Sequence, residues 1–396
     1  MEYNISDFVL RMIKMDENQH SSAAPSPLKK LLGFVSKNAV AIIAFALACI
    51  TACIVPPDRE YIGYFDFKTL ACLFATLAVV GALKNIRFFS VMAQKIVRTT
   101  GTVRGMITAL VFITYFGSML IANDMALITF LPLGYYSLTV TNRQDYMAFC
   151  FIMQNIAVNL GGMLTPFGNP QNLYLYSFFS IPTGEFMGIM ALPFAAAMVL
   201  IIGCCFFVRR DKIEIDMSRV EEQLPKTRTI IYLALFALSI LIVFRVLPYL
   251  VGLLVILAFL LVLDRKAVWG VDYGLLMTFV FFFIFAGNMS RIPAVSELLS
   301  SLLQKNTLVF STLSCQVISN VPSAVLLSRF TLNYRELLWG VNIGGAGTLI
   351  ASLASLITFR EYTAHNPRGS GRYIMLFSLF NFGFLIILTG IMSLVR

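Results

Sequence analysis

The chain has 396 residues, 58% of them hydrophobic and 13% charged, with 35 Phe and 18 Met. No soluble core of this size needs so much apolar surface, which excludes a soluble enzyme or binding domain. The net charge of +10 falls in short connections between apolar runs, where a positive-inside bias accounts for it and nucleic acid does not; the alternating ten-residue segments of a membrane barrel are absent, leaving an all-α polytopic membrane protein.

Residues 1–36 form a polar cytoplasmic head ending in an SSAAPSP linker, too long and too mixed for a signal peptide. Apolar runs able to cross roughly 30 Å of hydrocarbon as helices follow near 38–55, 67–83, 146–164, 184–208, 229–247, 249–263, 271–289, 335–358 and 372–394. Two more regions, 105–140 and 306–332, read as apolar hairpins turning at polar tips. For the first, a re-entrant hairpin and two full helices both return the chain to its starting side. Segments 86–98 and 292–304 are mixed in polarity and read as helices along the membrane surface or as solvated connections.

The 84–104 connection carries Lys84, Arg87, Lys95, Arg98 and Arg104 without an acid, and 209–228 carries six basic residues. Both are therefore expected inside, with a cytoplasmic N-terminus and an external C-terminus in the plasma membrane. Six of the seven cysteines lie in apolar segments, none with metal-ligand spacing, and they read as packing thiols.

An internal repeat organises the rest. NLGGMLT (159–165) and NIGGAGT (342–348) share Asn-x-Gly-Gly-x-x-Thr, and DFKTLACLFATLAVVG (66–81) aligns with DYGLLMTFVFFFIFAG (272–287). Between them, in each half, comes a polar tip, IANDM at 121–125 and ISNVPS at 318–323. The chain thus divides into a first repeat with a leading helix (37–208), a cytoplasmic linker (209–228) and a second repeat (229–396). The loop charges put Asp66 at the outer face and Asp272 at the inner face, so the repeats are inverted, a pattern that points to a secondary transporter with its site near the bilayer midplane.

Arms of about ten to twelve residues in the second hairpin reach only roughly 15–18 Å, which places its tip midway through the bilayer. Irregular backbone at that depth is tolerated where it is buried in protein or lines a wet cavity. Helix N-termini there face an anion, while C-termini and freed carbonyls favour a cation. Plainer readings exist for single pieces: Gly-Gly as a close helix contact, Pro166 and Pro170 as a kink, Asn169 and Asn172 as an interfacial loop, Asp124 as a cap. Duplication beside Asn and Thr favours the site, and a carboxylate at membrane depth makes Asp124 the candidate for the coupling cation or proton. Asp66 and Asp272 read as helix caps. Neither histidine lies in a span, His365 reads as solvated, and no HExxH, GxSxG or P-loop is present, so neither an enzyme nor an ATP-driven pump is expected.

ANDMALITFLPL, NLGGMLTPFGNPQNLYLY, SNVPSAVLLSRF and NIGGAGTLIASLASL resemble, in order and over roughly 37–396, the ion transporter superfamily in its branch of citrate transporters, arsenite permeases and sodium/dicarboxylate-type permeases. The resemblance implies two inverted-topology repeats, each with a re-entrant hairpin and an unwound transmembrane helix, a homodimer, and elevator-like motion. It assigns tip sites to Asn123, Asp124, Ser319, Asn320 and Ser323, and unwound-helix sites to Thr165, Gly168, Asn169, Asn172, Gly347, Thr348, Ser352 and Ser355. Both tips depart from the Ser-Asn-Thr of the sodium/dicarboxylate members, and the Asn-Asp tip looks more like the arsenite and citrate branches. The expected function is gradient-driven transport of a small carboxylate or oxyanion. No cofactor is expected beyond the coupling ion, sodium (at Asn123 and Asn320) or a proton (at Asp124). A sodium/proton antiporter on the same scaffold and a passive anion channel are the alternatives.

Overall fold

The computed structural model describes residues 39–213 and 224–396. The head expected at 1–36 and the centre of the 209–228 linker lie outside the described residues. The described chain is helical throughout, apart from one isolated bridge between Thr102 and Lys212. The first half comprises α1 (Ala39–Ile54), α2 (Phe67–Asn85), α3 (Phe88–Arg98), α4 (Val103–Gly117), α5 (Asn123–Val140), α6 (Met147–Gly161), α7 (Pro170–Phe178) and α8 (Thr183–Phe206). The second comprises α9 (Lys226–Val243), α10 (Tyr249–Leu263), α11 (Arg265–Trp269), α12 (Tyr273–Ser290), α13 (Pro293–Ile318), α14 (Asn320–Leu327), α15 (Tyr334–Ile343), α16 (Leu353–His365) and α17 (Ser370–Val395).

Six segments, Phe67–Asn85, Gln144–Leu164, Thr183–Phe206, Lys226–Val243, Tyr273–Ser290 and Pro367–Val395, are long and apolar enough to cross a membrane. The chain is a multi-pass membrane protein. Burial separates the roles of these segments: 83% of the apolar stretch in Gln144–Leu164 is buried, against 22% in Pro367–Val395. The helix carrying the first Asn-x-Gly-Gly motif is therefore the centre of the bundle. On α10 only Gly252, Ile256 and Leu260 are buried while Leu254 and Val262 stand open, the one-sided burial of a helix at the outside of the bundle.

Local chemistry sets the boundaries. Asp66 Oδ1 accepts from Thr69 N at 2.9 Å and Asp272 Oδ1 from Leu275 N at 3.0 Å, so both aspartates cap helices as expected. Both mixed-polarity segments are helical rather than loops. The second runs on into the hairpin arm and is divided only at Asn306 (φ −164°, ψ 92°), whose Oδ1 caps the arm by accepting from Val309 N at 3.0 Å. The second arm, expected at 323–332, begins at Asn320 and ends at Leu327. The single span expected at 335–358 is two helices, α15 and α16, with non-helical backbone between them.

Helices α2 and α12 run antiparallel. Tyr64, just before α2, packs on Gly287 near the end of α12. Arg291, beyond α12, reaches Tyr64 Oη at 3.2 Å and Asp58 at 2.7 Å, and holds the Asp58 carboxyl below the usual carboxylate range. At the opposite end, Asn85 Nδ2 donates to Asp264 Oδ2 at 3.0 Å. That end also carries the Arg143–Asp211 pair at 3.0 Å, which ties the α5–α6 connection to the start of the linker. His365 is exposed, as expected, and its ring also stacks on Tyr135 at 3.7 Å while its Nε2 lies 3.2 Å from Glu361. A Cβ at Gly287 would strike the Tyr64 ring, whereas one at Gly383 of α17 meets nothing within 4 Å. Gly287→Ala should therefore cost about 1–3 kcal/mol by overpacking, and Gly383→Ala should gain about 0.5–1 kcal/mol; thermal unfolding in detergent separates the two.

Candidate functional site

The first interruption follows from its glycines. Helix α6 stops at Gly161, a 3-10 turn covers Gly162–Leu164, Thr165 is extended (φ −109°, ψ 145°), and α7 restarts at Pro170. Proline at that first helical position loses an N–H that would have no partner anyway. A side chain at Gly161 would collide with the Tyr115 carbonyl, and one at Gly168 would come within 2.9 Å of the Ser118 carbonyl. The absence of Cβ lets the turn between α4 and α5 lie directly on the interruption. Thr165 Oγ1 fastens it there by donating to Met119 O at 2.8 Å.

The second interruption is built alike. After α15 ends at Ile343, Gly347 adopts φ +129°, and any side chain there would also strike Gln316 Oε1. Gln316, on the last turn of α13, follows the freed backbone closely. Its Nε2 donates to Gly344 O at 2.8 Å and Ala346 O at 3.3 Å, and its Oε1 accepts from Thr348 N at 2.9 Å. Thr348 Oγ1 donates to Gln316 O at 3.1 Å. Beyond it, Asn320 N and Ser319 Oγ both donate to Ala351 O, at 3.0 and 3.2 Å. Ser352 caps α16 by accepting from Ala354 N at 3.3 Å.

Asn342 joins the two interruptions. Its Nδ2 donates to Asn172 Oδ1 at 2.6 Å and Leu338 O at 2.8 Å. Its Oδ1 accepts from Asn169 Nδ2 at 3.2 Å and Gln171 Nε2 at 3.5 Å. Asn172 Nδ2 in turn donates to Met163 O at 3.2 Å. A Cβ at Gly345 would lie 3.1 Å from Asn320 Nδ2 and 3.5 Å from Asn159 Oδ1, so the second tip sits against the first broken helix.

The structure thus gathers Thr165, Gly168, Asn169, Asn172, Ser319, Asn320, Gly347, Thr348 and Ser352 along one connected path. Ser323 is turned away, its Oγ 2.9 Å from Ser314 Oγ across the hairpin arms, and Ser355 is buried with its hydroxyl unpartnered. Asn123 and Asp124 open α5. Asn123 is buried with Oδ1 unpartnered, and Asp124 is half-buried in the first turn. The capping role considered for Asp124 fails, because the cap residue is Ala122 and no side chain bonds there. Asn159 and Asn342, the leading asparagines of the duplicated motif, were missing from the sequence-derived site although their repetition was visible. Gln316, a lone amide in an apolar arm, carried no such signal. No group of three His, Cys, Asp or Glu side chains suited to a metal exists among the described residues. A cavity of about 410 Å³ lined by Glu185, Ile189, Asn333, Tyr334 and Arg335 lies elsewhere, between the start of α8 and the start of α15.

The family model described as citrate transporter matches residues 29–335. The chain is similar to the uncharacterized transporter MJ0456 of Methanocaldococcus jannaschii, 35% identical over 308 residues covering 76% of this chain and 82% of that one. It is also similar to inner membrane protein YbiR of Escherichia coli, 30% identical over 312 residues with the same coverage of 76% and 82%. The human P protein matches over a shorter stretch, 30% identical over 137 residues, or 33% of this chain and 16% of that protein.

Replacing Asn342 with Ala removes the link between the interruptions and leaves buried amides without partners. A loss of about 1–3 kcal/mol in unfolding free energy is expected; a melting temperature equal to wild type in the same detergent would contradict the linking role.

Proposed function

Given that the chain belongs to the citrate transporter family, we propose that this membrane transporter is a secondary active carrier of a small anion, a carboxylate or an oxyanion, driven by a sodium or proton gradient. One observation carries the reading. The threonine ending each Asn-x-Gly-Gly-x-x-Thr motif donates to a hairpin carbonyl, Thr165 to Met119 O and Thr348 to Gln316 O, and each carbonyl stands four residues before the asparagine that opens the next helix, Asn123 or Asn320. The same contact made twice, together with the antiparallel α2 and α12, supports two inverted repeats, each with a re-entrant hairpin and an unwound helix. A site at their junction is favoured by this symmetry.

Four helices, α5, α7, α14 and α16, begin at these turns and interruptions. Their N-termini offer free N–H groups and partial positive charge, enough to hold an anion without arginine or lysine, neither of which is among the candidate residues. Charge neutrality then asks for a co-bound cation or proton, and Asp124 is the titratable candidate at the first tip. The hairpins and broken helices would move together against α1, α2, α9, α10 and α12 in elevator fashion, in a plasma-membrane homodimer with its N-terminus inside.

Proteoliposomes loaded under an imposed sodium or pH gradient test the assignment with labelled citrate, succinate and arsenite. Accumulation above bath concentration is expected for at least one of them. Equilibration without accumulation would identify a channel instead, and sodium-driven proton flux without solute uptake would identify an antiporter. Asp124→Asn should abolish accumulation in a folded protein, and wild-type accumulation in that variant would remove Asp124 from coupling. Asn320→Ala and Thr348→Val should each raise the half-saturating solute concentration about tenfold, equivalent to roughly 1.4 kcal/mol; unchanged saturation curves would place the solute elsewhere.

A further inference from the structure

Two arginines grip the last turn of α7 from different sides. Arg245, in the turn between α9 and α10, donates from Nη2 to Tyr176 O at 2.6 Å, and its Cζ lies 4.4 Å from the centre of the Tyr176 ring. Arg329, two residues beyond α14, donates from Nη2 to Tyr64 O at 2.8 Å, and its Cζ lies 5.1 Å from the centre of the Phe178 ring. Tyr174 and Phe178 are one helical turn apart and share a side of α7, with Tyr176 between them on another. Tyr174 Oη and Ser328 Oγ share a hydrogen bond at 2.8 Å, so the ends of α7 and α14 form a pair.

The two arginine bonds run in opposite directions across one boundary. On one side stand α7, which restarts after the first interruption, and α14, which starts at the second tip; on the other stand the Tyr64 turn before α2 and the α9–α10 turn. Arg245 reaches from the second group to the first, and Arg329 from the first to the second. Aromatic rings also meet across the boundary, Tyr174 with Phe279 and Phe283 at 6.4 and 5.5 Å, and Phe167 with Phe244 at 5.9 Å. Ring contacts accept a range of geometries and tolerate sliding, whereas a hydrogen bond to a particular carbonyl does not. The arginines therefore set the register of the two groups.

Both ends of this joint are prepared for it. Arg245 ends α9 at φ +64°, with its own N–H donating to Ile242 O and the Val246 N–H to Leu241 O, each at 3.0 Å. Glycine fills that helix-ending position without strain, and the contact made by the side chain accounts for an arginine being held there. Tyr64 is fixed from behind, by Arg291 Nη1 on its Oη at 3.2 Å and by Gly287 under its ring. Arg291 is itself paired with a carboxylate, Asp58 at 2.7 Å. The boundary arginines instead meet neutral carbonyls, neither has a carboxylate partner among the described residues, and the buried Nε of each is left without a hydrogen bond. Such a bond favours one arrangement and can still be exchanged for water.

We propose that Arg245 and Arg329 form a latch that holds the α7–α14 pair against the Tyr64 turn and the α9–α10 turn, and that both bonds open when the solute-carrying body moves. The latch rests on the elevator reading: it makes this arrangement one end of the movement and its release a step in every turnover.

Distances between spin labels on Ile62→Cys and Leu332→Cys, both exposed and on opposite sides of the boundary, read the latch in the full-length protein in lipid nanodiscs. Cys49→Ser, Cys53→Ser and Cys204→Ser remove the more accessible native thiols. The parent should be dominated by one short distance, with a discrete longer one growing as the latch is removed. Arg245→Met and Arg329→Met keep an apolar stem and lose the donor; each should raise the long-to-short ratio about tenfold, and the two together about a hundredfold. Should Arg329→Met fail to fold, Arg245→Met alone carries the test. A short peak that only broadens in Arg245→Met, as loss of a purely structural contact would give, overturns the latch. Two distances whose ratio responds to an accumulated solute but to neither arginine would overturn the latch and leave the elevator reading standing. One unchanging distance in parent and variants, in vesicles that accumulate solute, would overturn both.

Discussion

A helix broken inside a packed, apolar body exposes N–H and C=O groups that water cannot reach, and every other feature of this protein follows from how those groups are answered. At the first interruption the answer is the α4–α5 turn, pressed against Gly161 and Gly168 and held by Thr165 Oγ1 on Met119 O. At the second it is Gln316, which bonds the backbone at Gly344, Ala346 and Thr348. Each hairpin is thereby bound to the broken helix of its own half, and Asn342 binds the halves to each other through Asn169 and Asn172. The turns and interruptions of the two halves are thereby joined by one set of hydrogen bonds.

The same construction separates two kinds of electrostatic environment at short range. Helices that start at the turns present N–H groups, suited to an anion. The amides between the interruptions engage their nitrogens and leave the oxygens of Asn159, Asn169 and Gln171 without a hydrogen-bond partner. Neither depends on a formal charge, apart from Asp124 at the edge of the first tip. A neutral framework costs less to bury than ionised side chains would.

Much of this was readable from residue order because its cause is local. Glycine pairs and prolines inside an apolar run have few explanations at membrane depth, and the repeated Asn-x-Gly-Gly-x-x-Thr fixed both interruptions before any coordinates. The capping aspartates were equally plain, since Asp66 and Asp272 precede apolar runs by one residue. What escaped depends on tertiary contact. Nothing near Gln316 indicates that its side chain would reach thirty residues ahead to line the second interruption. Ser323 belongs to the tip by sequence, yet helical geometry turns it toward Ser314. Within the 335–358 run the glycines marked the break but not its length, which the φ of +129° at Gly347 and the extended Ser352 carry on to the start of α16. His365, polar and in a basic connection, gave no sign that Tyr135 would stack on it.

The central claim is that both tips and both interruptions enclose a single solute site. Hydrogen–deuterium exchange of the detergent-solubilised protein, with and without the solute that accumulates in vesicles, tests it most directly. Binding should slow exchange together at 118–124, 162–172, 316–320 and 344–352. Protection confined to one half, or appearing instead around Glu185 and Tyr334, would contradict it.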